Sequence, residues 1–226
     1  PWGVGLLGFA DTKVLKPQFE AVARARPPFA IVAGGRINQV RELEGMGVTA
    51  FVHAPTPGLL LQHLEEGCRR FVVEGRECGG HVGPLTSLAL WGGAVEALRD
   101  HPTVLREGAR VQVVLAGGIH DAPSAAMAAT LAEPLAARGV AVGVLMGTAY
   151  LFTREIVEHG AVVADYQEVA LATGATGGTR CLWEGPGFAS RVAMTPIVEE
   201  FHGTRSAMEG RGAPVHEVRQ ALEHFS

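Results

Sequence analysis

Val111-Gln-Val-Val-Leu-Ala-Gly-Gly118 is a short apolar run that stops on paired glycines. Its residues do not alternate between apolar and polar, so it reads as a strand covered on both faces, as in a parallel sheet. Five relatives of this run occur along the chain: Gly3–Phe9, Phe29–Ala33 before Gly34-Gly35, Thr49–His53, Arg70–Glu74, and Ala141–Met146 before Gly147. The stretches between them have helical spacing. Val40, Leu43 and Met46 fall on one face, as do Leu59, Leu60 and Leu64. Asp121 stands as an N-cap before an Ala-rich helix with Pro123 in its first turn. Strand and helix in regular succession predict an α/β fold with parallel strands. The Gly-Gly pairs place tight turns at the C-terminal ends of strands, which favours a TIM-type (β/α) barrel over an open sheet. No GxGxxG follows the first strand, so the dinucleotide-binding alternative lacks its signature.

Only six such runs are found, two short of a closed barrel. The stretch Ala149–Ile156 looks helical. Beyond Gly160 the sequence becomes irregular, with loops expected at Gly174–Gly178 and Gly185–Gly187 and closing helices at 196–209 and 215–225. The expected organisation is a six-stranded barrel portion over 1–160, with a loop and helical extension of the same domain over 161–226.

Composition narrows the function. Of 226 residues, 47% are hydrophobic, enough for a large core, and 19% are charged with a net charge of −4, which offers no basic face for nucleic acid. There is no apolar run of membrane-spanning length and no signal-peptide pattern, so a cytoplasmic protein is expected. The three cysteines lack CxxC spacing and the nine histidines form no HExxH, so reduced thiols and no metal site are expected.

The segment Glu74-Gly-Arg-Glu-Cys-Gly-Gly-His81 begins where the fourth strand ends. Small residues at 78–80 let backbone approach a flat ligand, and an imidazole at 81 can move a proton near neutral pH. Read from the residues alone, a glycine turn with an incidental histidine is as good an account. Asn38 and His53 lie at or near strand ends, positions that can face the site, and of the two readings a structural role is the one expected for both. Glu77 is expected to bond nearby loop amides.

This segment resembles the E-x-G-G-H motif of the nitronate monooxygenase (2-nitropropane dioxygenase) family, and that of the FMN-dependent enoyl-acyl-carrier-protein reductases in the same superfamily. Leu115-Ala-Gly-Gly-Ile119 is similar to the family's A-G-G-I turn, and Val144-Leu-Met-Gly-Thr-Ala149 to its M-G-T-A-F segment. The resemblance implies an FMN-binding oxidoreductase with His81 as the catalytic residue and Gly79 and Gly80 against the flavin ring. It implies that Gly117, Gly118, Met146, Gly147 and Thr148 form the phosphate cup. Backbone N–H groups, the Thr148 hydroxyl and the N-terminus of the following helix suit a phosphate dianion.

The likeness covers roughly 1–156 and implies that the six runs are the family's third to eighth strands, its first two preceding Pro1. Glu74-Gly75 and Gly80-His-Val-Gly-Pro-Leu-Thr86 are closer to the enoyl reductases; many nitronate monooxygenases carry glutamine where Glu74 stands. Cys78 replaces the family's usual alanine and is expected to be packing. The implied substrate is a nitronate or an acyl thioester, with NAD(P)H as electron donor in the second case. Synthase modules or a second copy of the chain are the implied partners, and a non-catalytic docking remnant is the third alternative. Gly174–Arg180 reads as a flexible lid or linker, with Arg180 a candidate contact for a substrate carrier.

Overall fold

The computed structural model describes residues 2–176, 178–183, 189–222 and 225. Pro1, Gly177 and the loop expected at Gly185–Gly187 lie outside the described residues. The chain forms two compact units, Pro1–Cys78 with Val82–Gly147, and Gly79–His81 with Thr148–Ser226.

In chain order the elements are β1 (Gly3–Leu7), α1 (Thr12–Ala25), β2 (Phe29–Ala33), α2 (Ile37–Gly45), β3 (Thr49–His53), α3 (Pro57–Glu65) and β4 (Arg70–Glu74). The short β5 (Gly80–His81) belongs to the second unit. Next come α4 (Ser87–Arg99), α5 (Pro102–Glu107), β6 (Gln112–Ala116), α6 (Ala122–Ala136) and β7 (Ala141–Leu145). The second unit continues with α7 (Glu155–Glu158), α8 (Ala164–Thr176), β8 (Thr179–Leu182), β9 (Ser190–Ala193), α9 (Pro196–Gly210) and α10 (Val215–Leu222).

The first unit is a six-stranded parallel sheet in the order β1-β2-β3-β4-β6-β7, each strand beside the next one in its own chain order. All six expected runs are strands. Three of its helices end by the same device. Gly47, Gly67 and Gly139 adopt φ of +84°, +105° and +82° after α2, α3 and α6. The next residue then donates back into the helix: Val48 N to Leu43 O, Cys68 N to His63 O and Val140 N to Leu135 O, at 3.1, 2.8 and 3.1 Å. This closure satisfies carbonyls that the helix end leaves open and turns the chain into the next strand.

Burial in the sheet is mainly one-sided outside β4, where Val72 on the opposite face is buried as well; continuous apolar runs led to an expectation of two covered faces throughout. Ala30, Val32, Ala50, Val52, Phe71, Val73, Val113 and Leu115 are buried against Leu43, Leu60, Leu64, Leu90, Leu98 and Leu135 of the helices. On the opposite face Ile31, Phe51 and Val114 are half-buried, and Gly3, Gly5 and Gly143 are exposed. Ile31, Phe51 and Val114 on that face lie outside the core cluster formed with the helices.

In the second unit the two expected closing helices are α9 and α10, whereas the stretch between Gly160 and Pro196, expected to be irregular, holds α8, β8 and β9. The unit has a three-stranded antiparallel sheet, β5-β9-β8, and a small core of Phe201, Val218 and Leu222 with Trp183 edge-on to Phe201 at 5.5 Å. The expected lid at Gly174–Arg180 is helix up to Thr176 and strand from Thr179, joined where Gly178, at φ +86°, donates to Thr173 O. Arg180 is therefore an exposed strand residue. The helix expected over 149–156 is a 3-10 turn, Thr148–Phe152, followed by α7. Among the described residues no helix is long and apolar enough to cross a membrane.

Candidate functional site

The ladder of the first unit aligns three of the motif-bearing strand ends. Glu74 pairs with Ala116 and Ala116 with Leu145, so Gly75, Gly117 and Met146 leave adjacent strands at one level. The β4 and β6 ends are locked by α4. A Cβ at Gly75 would lie 2.2 Å from Ser87 Cα, and one at Gly117, where φ is +106°, would lie 2.5 Å from Ser87 Oγ. Trp91 Nε1, buried one helical turn on, donates to Val73 O and Ala116 O, both at 3.2 Å. Glu77 Oε2 accepts the Ser87 amide at 2.6 Å and also the Ser87 hydroxyl. Glu77 is thus the structural carboxylate that its place in the loop suggested.

Beyond this locked level the backbone opens. Gly118, at φ +76°, is exposed, and a Cβ there would meet only Glu77, at 3.2 Å. Gly147 is exposed with nothing within 4 Å of a Cβ position. Both glycines therefore admit a close ligand at the strand ends, which fits a phosphate held by main-chain N–H groups. Met146 points elsewhere: it is half-buried and packs against the helix-side core.

The start of α6 is capped by Asp121, as the sequence indicated. Asp121 accepts the Ser124 amide at 2.9 Å, and Ser124 Oγ accepts the amides of His120 and Asp121 at 3.1 Å each. These Ser124 hydrogen bonds, side chain first and then backbone, hold the Asp121 carboxyl below the usual carboxylate range. A negative charge and a satisfied cap already occupy this helix end, so a phosphate near Gly118 gains little from it. His120 Nδ1 lies 2.8 Å from Gly118 O, which engages the carbonyl side of that turn.

The second unit holds the remaining candidates. Gly79, Gly80 and His81 are exposed; β5 pairs with β9, Gly80 opposite Arg191 and His81 opposite Ser190. Thr148, also exposed, opens the 3-10 turn. Gly117, Gly118, Met146 and Gly147 thus belong to one unit, and Gly79, Gly80, His81 and Thr148 to the other. The pairing of His81 with Ser190 escaped the sequence reading because β9, Ser190-Arg-Val-Ala193, is short and carries no apolar run. Trp91 escaped it too, although a tryptophan inside a helix that must cover strand ends was a usable signal.

Asn38 is an exposed residue in the first turn of α2, which follows the end of β2 through the turn at Gly34–Arg36. His53 ends β3, and its Nε2 lies 3.2 Å from Glu74 Oε2. Cys68, Cys78 and Cys181 are unbridged and buried. Burial, reinforced by the charges of Glu44 and Glu66, pushes the Cys68 thiol up to about 11.

No protein-family model matches the chain. A Mycobacterium tuberculosis protein, (3aS,4S,5R,7aS)-5-hydroxy-7a-methyl-1-oxo-octahydro-1H-indene-4-carboxyl-CoA dehydrogenase, is 27% identical over 195 residues, covering 77% of this chain and 49% of that protein. The chain therefore spans about half the length of the curated relative it matches. Among solved structures, FabK from Thermotoga maritima aligns with a TM-score of 0.67 at 21% identity, over 91% of this chain and 58% of that one. A single-substitution variant of the same FabK gives 0.64 at 20%, over 92% and 61%. Nitroalkane oxidase from Streptomyces ansochromogenes gives 0.60 at 20%, over 82% and 50%. The chain shares the fold of these proteins, and its six parallel strands are of the β/α-barrel type.

Proposed function

We propose that this chain carries the phosphate-binding rim and the acid–base histidine of an FMN-dependent oxidoreductase of the nitronate monooxygenase type. The observation that carries the reading is the ladder alignment of Glu74, Ala116 and Leu145, from which Gly75, Gly117 and Met146 depart together. It brings the strand ends from which the three motifs depart to one level of a single sheet. In this reading the backbone at Gly118 and Gly147 and the Thr148 hydroxyl hold the phosphate, and Gly79 and Gly80 lie against the ring. His81, joined to the end of β4 by a short glycine-rich link, exchanges a proton with the substrate or holds its oxygen. The chemistry that FMN supplies when bound is two-electron transfer.

A second reading within the same superfamily is reduction of an enoyl thioester with NAD(P)H as donor. Glu74-Gly75 and the Gly80–Thr86 pattern favour it, as does the coenzyme A thioester in the name of the M. tuberculosis relative. An acyl thioester delivered by synthase modules would be its natural substrate.

FMN-loaded protein separates the readings. NADPH consumption with a crotonyl thioester supports the reductase, and oxygen uptake with a nitronate and no NADPH supports the monooxygenase. Flavin bound with neither activity would leave the barrel a non-catalytic docking element.

A further inference from the structure

We infer that His53 and Glu74 form a substrate-facing pair, which hydrogen-bonds an sp2 oxygen conjugated to the reacting carbon, the carbonyl of an acyl thioester or an oxygen of a nitro group. This inference rests on the oxidoreductase reading above and concerns only the first unit.

The two residues are the last of β3 and β4, which are adjacent parallel strands. Side chains alternate along a strand, so the helix-facing positions Ala50, Val52, Phe71 and Val73 fix where the others point. His53 and Glu74 share the opposite face with Phe51 and Val72. Their position is the C-terminal end of the sheet, where β/α barrels place their chemistry. The charged residues at the other end of β4 behave differently. Arg69 pairs with Glu107 of α5 at 3.2 Å and Arg70 with Glu44 of α2 at 2.8 Å, so both tie the strand start to helices and serve the fold.

The His53–Glu74 contact joins strand end to strand end. His53 Nε2 is shut off from solvent and stands 3.2 Å from Glu74 Oε2, at ion-pair distance without the alignment of a hydrogen bond. The side chains are 12% and 27% exposed. A partly buried imidazole–carboxylate pair is a poor stabiliser there, since apolar side chains of similar volume pack as well or better. The pair does offer a ligand a fixed donor. With Nε2 beside Glu74 Oε2, Nδ1 is the ring nitrogen left to meet a substrate oxygen. No covalent bond forms at His53 in this role.

The test uses the full chain, with FMN titration, steady-state kinetics on whichever substrate the wild type turns over, and His53→Gln, His53→Ala and Glu74→Gln. His53→Gln is expected to bind FMN within about twofold of wild type while kcat/KM falls roughly tenfold or more. Added imidazole is expected to restore part of the activity of His53→Ala, a response that loss of packing alone does not give. Glu74→Gln is expected to lower kcat/KM in the same direction. Wild type that binds no flavin overturns the parent reading and this inference with it. Wild type that binds flavin and turns over, alongside a His53→Gln variant with unchanged kinetics or a His53→Ala variant that imidazole does not rescue, overturns this inference alone.

Discussion

Glu77 Oε2 accepts the Ser87 amide at 2.6 Å, and through this one carboxylate the loop after β4 is fastened to the first residue of α4. Thr86, the residue at the N-cap position, makes no side-chain cap bond, so Glu77 supplies the cap from ten residues upstream. Glu77→Ala is expected to destabilise the first unit by about 1 kcal/mol, with Glu77→Gln recovering part of the loss through its remaining oxygen. Urea unfolding checks this; an unchanged midpoint for Glu77→Ala would show that the helix start is satisfied in another way.

The glycines of the rim should divide into two groups. Gly75 and Gly117 face Ser87 at distances that leave no room for a methyl group, and Gly117 also requires positive φ. Alanine at either is expected to cost on the order of 1–3 kcal/mol. Gly147 has open space around it, and Gly147→Ala is expected to stay within about 0.5 kcal/mol of wild type. Thermal melts of the three variants test the division, and equal losses at all three would refute it.

Trp91 is the only side chain shown to bridge the carbonyls at the ends of β4 and β6 among the described residues, through Val73 O and Ala116 O. Trp91→Phe keeps most of the volume and removes both hydrogen bonds. A loss of about 1–3 kcal/mol in denaturant unfolding is expected, and a neutral result would mean that water or relaxation replaces the indole.

Cys68 gives a pH signature. Burial raises its thiol from 9.0 to about 11, so the folded state holds the proton more tightly than the unfolded chain does. The associated stability is present below 9 and is lost as the pH climbs from 9 towards 11. Native protein is expected to resist alkylation at Cys68 at pH 8, and Cys68→Ala is expected to flatten the fall in unfolding free energy over that window. Rapid modification of native Cys68 at pH 8, mapped by peptide mass spectrometry, would contradict the assignment.

The parallel strands were legible because each is a compact apolar run ended by glycine or a polar turn; β2, β3 and β4 match their runs residue for residue. The one-sided burial was not legible. Ile31 and Val32 are equally apolar, and only the tertiary arrangement puts Val32 against helices and Ile31 on the opposite face. The second sheet was hidden for the opposite reason: Thr179–Leu182 and Ser190–Ala193 are short and half polar, and Gly174 and Gly178 read as loop although the first is helical and the second ends a helix. At the site, the order of the motifs and the Asp121 cap were plain in the sequence, but the acceptance of the His120 and Asp121 amides by Ser124 Oγ depends on a side-chain rotamer that no spacing rule supplies.

The central claim is that main-chain groups at Gly118 and Gly147 receive a flavin phosphate. Parallel titrations of FMN and riboflavin into wild-type and Gly147→Ala protein, followed by flavin absorbance and fluorescence, test it most directly. Wild type is expected to bind FMN at least about tenfold more tightly than riboflavin, the gain that charge-assisted hydrogen bonds to a phosphate confer. Gly147→Ala is expected to lose much of that preference while melting at the wild-type temperature. Protein that takes up no FMN, or that binds riboflavin and FMN alike, would contradict it.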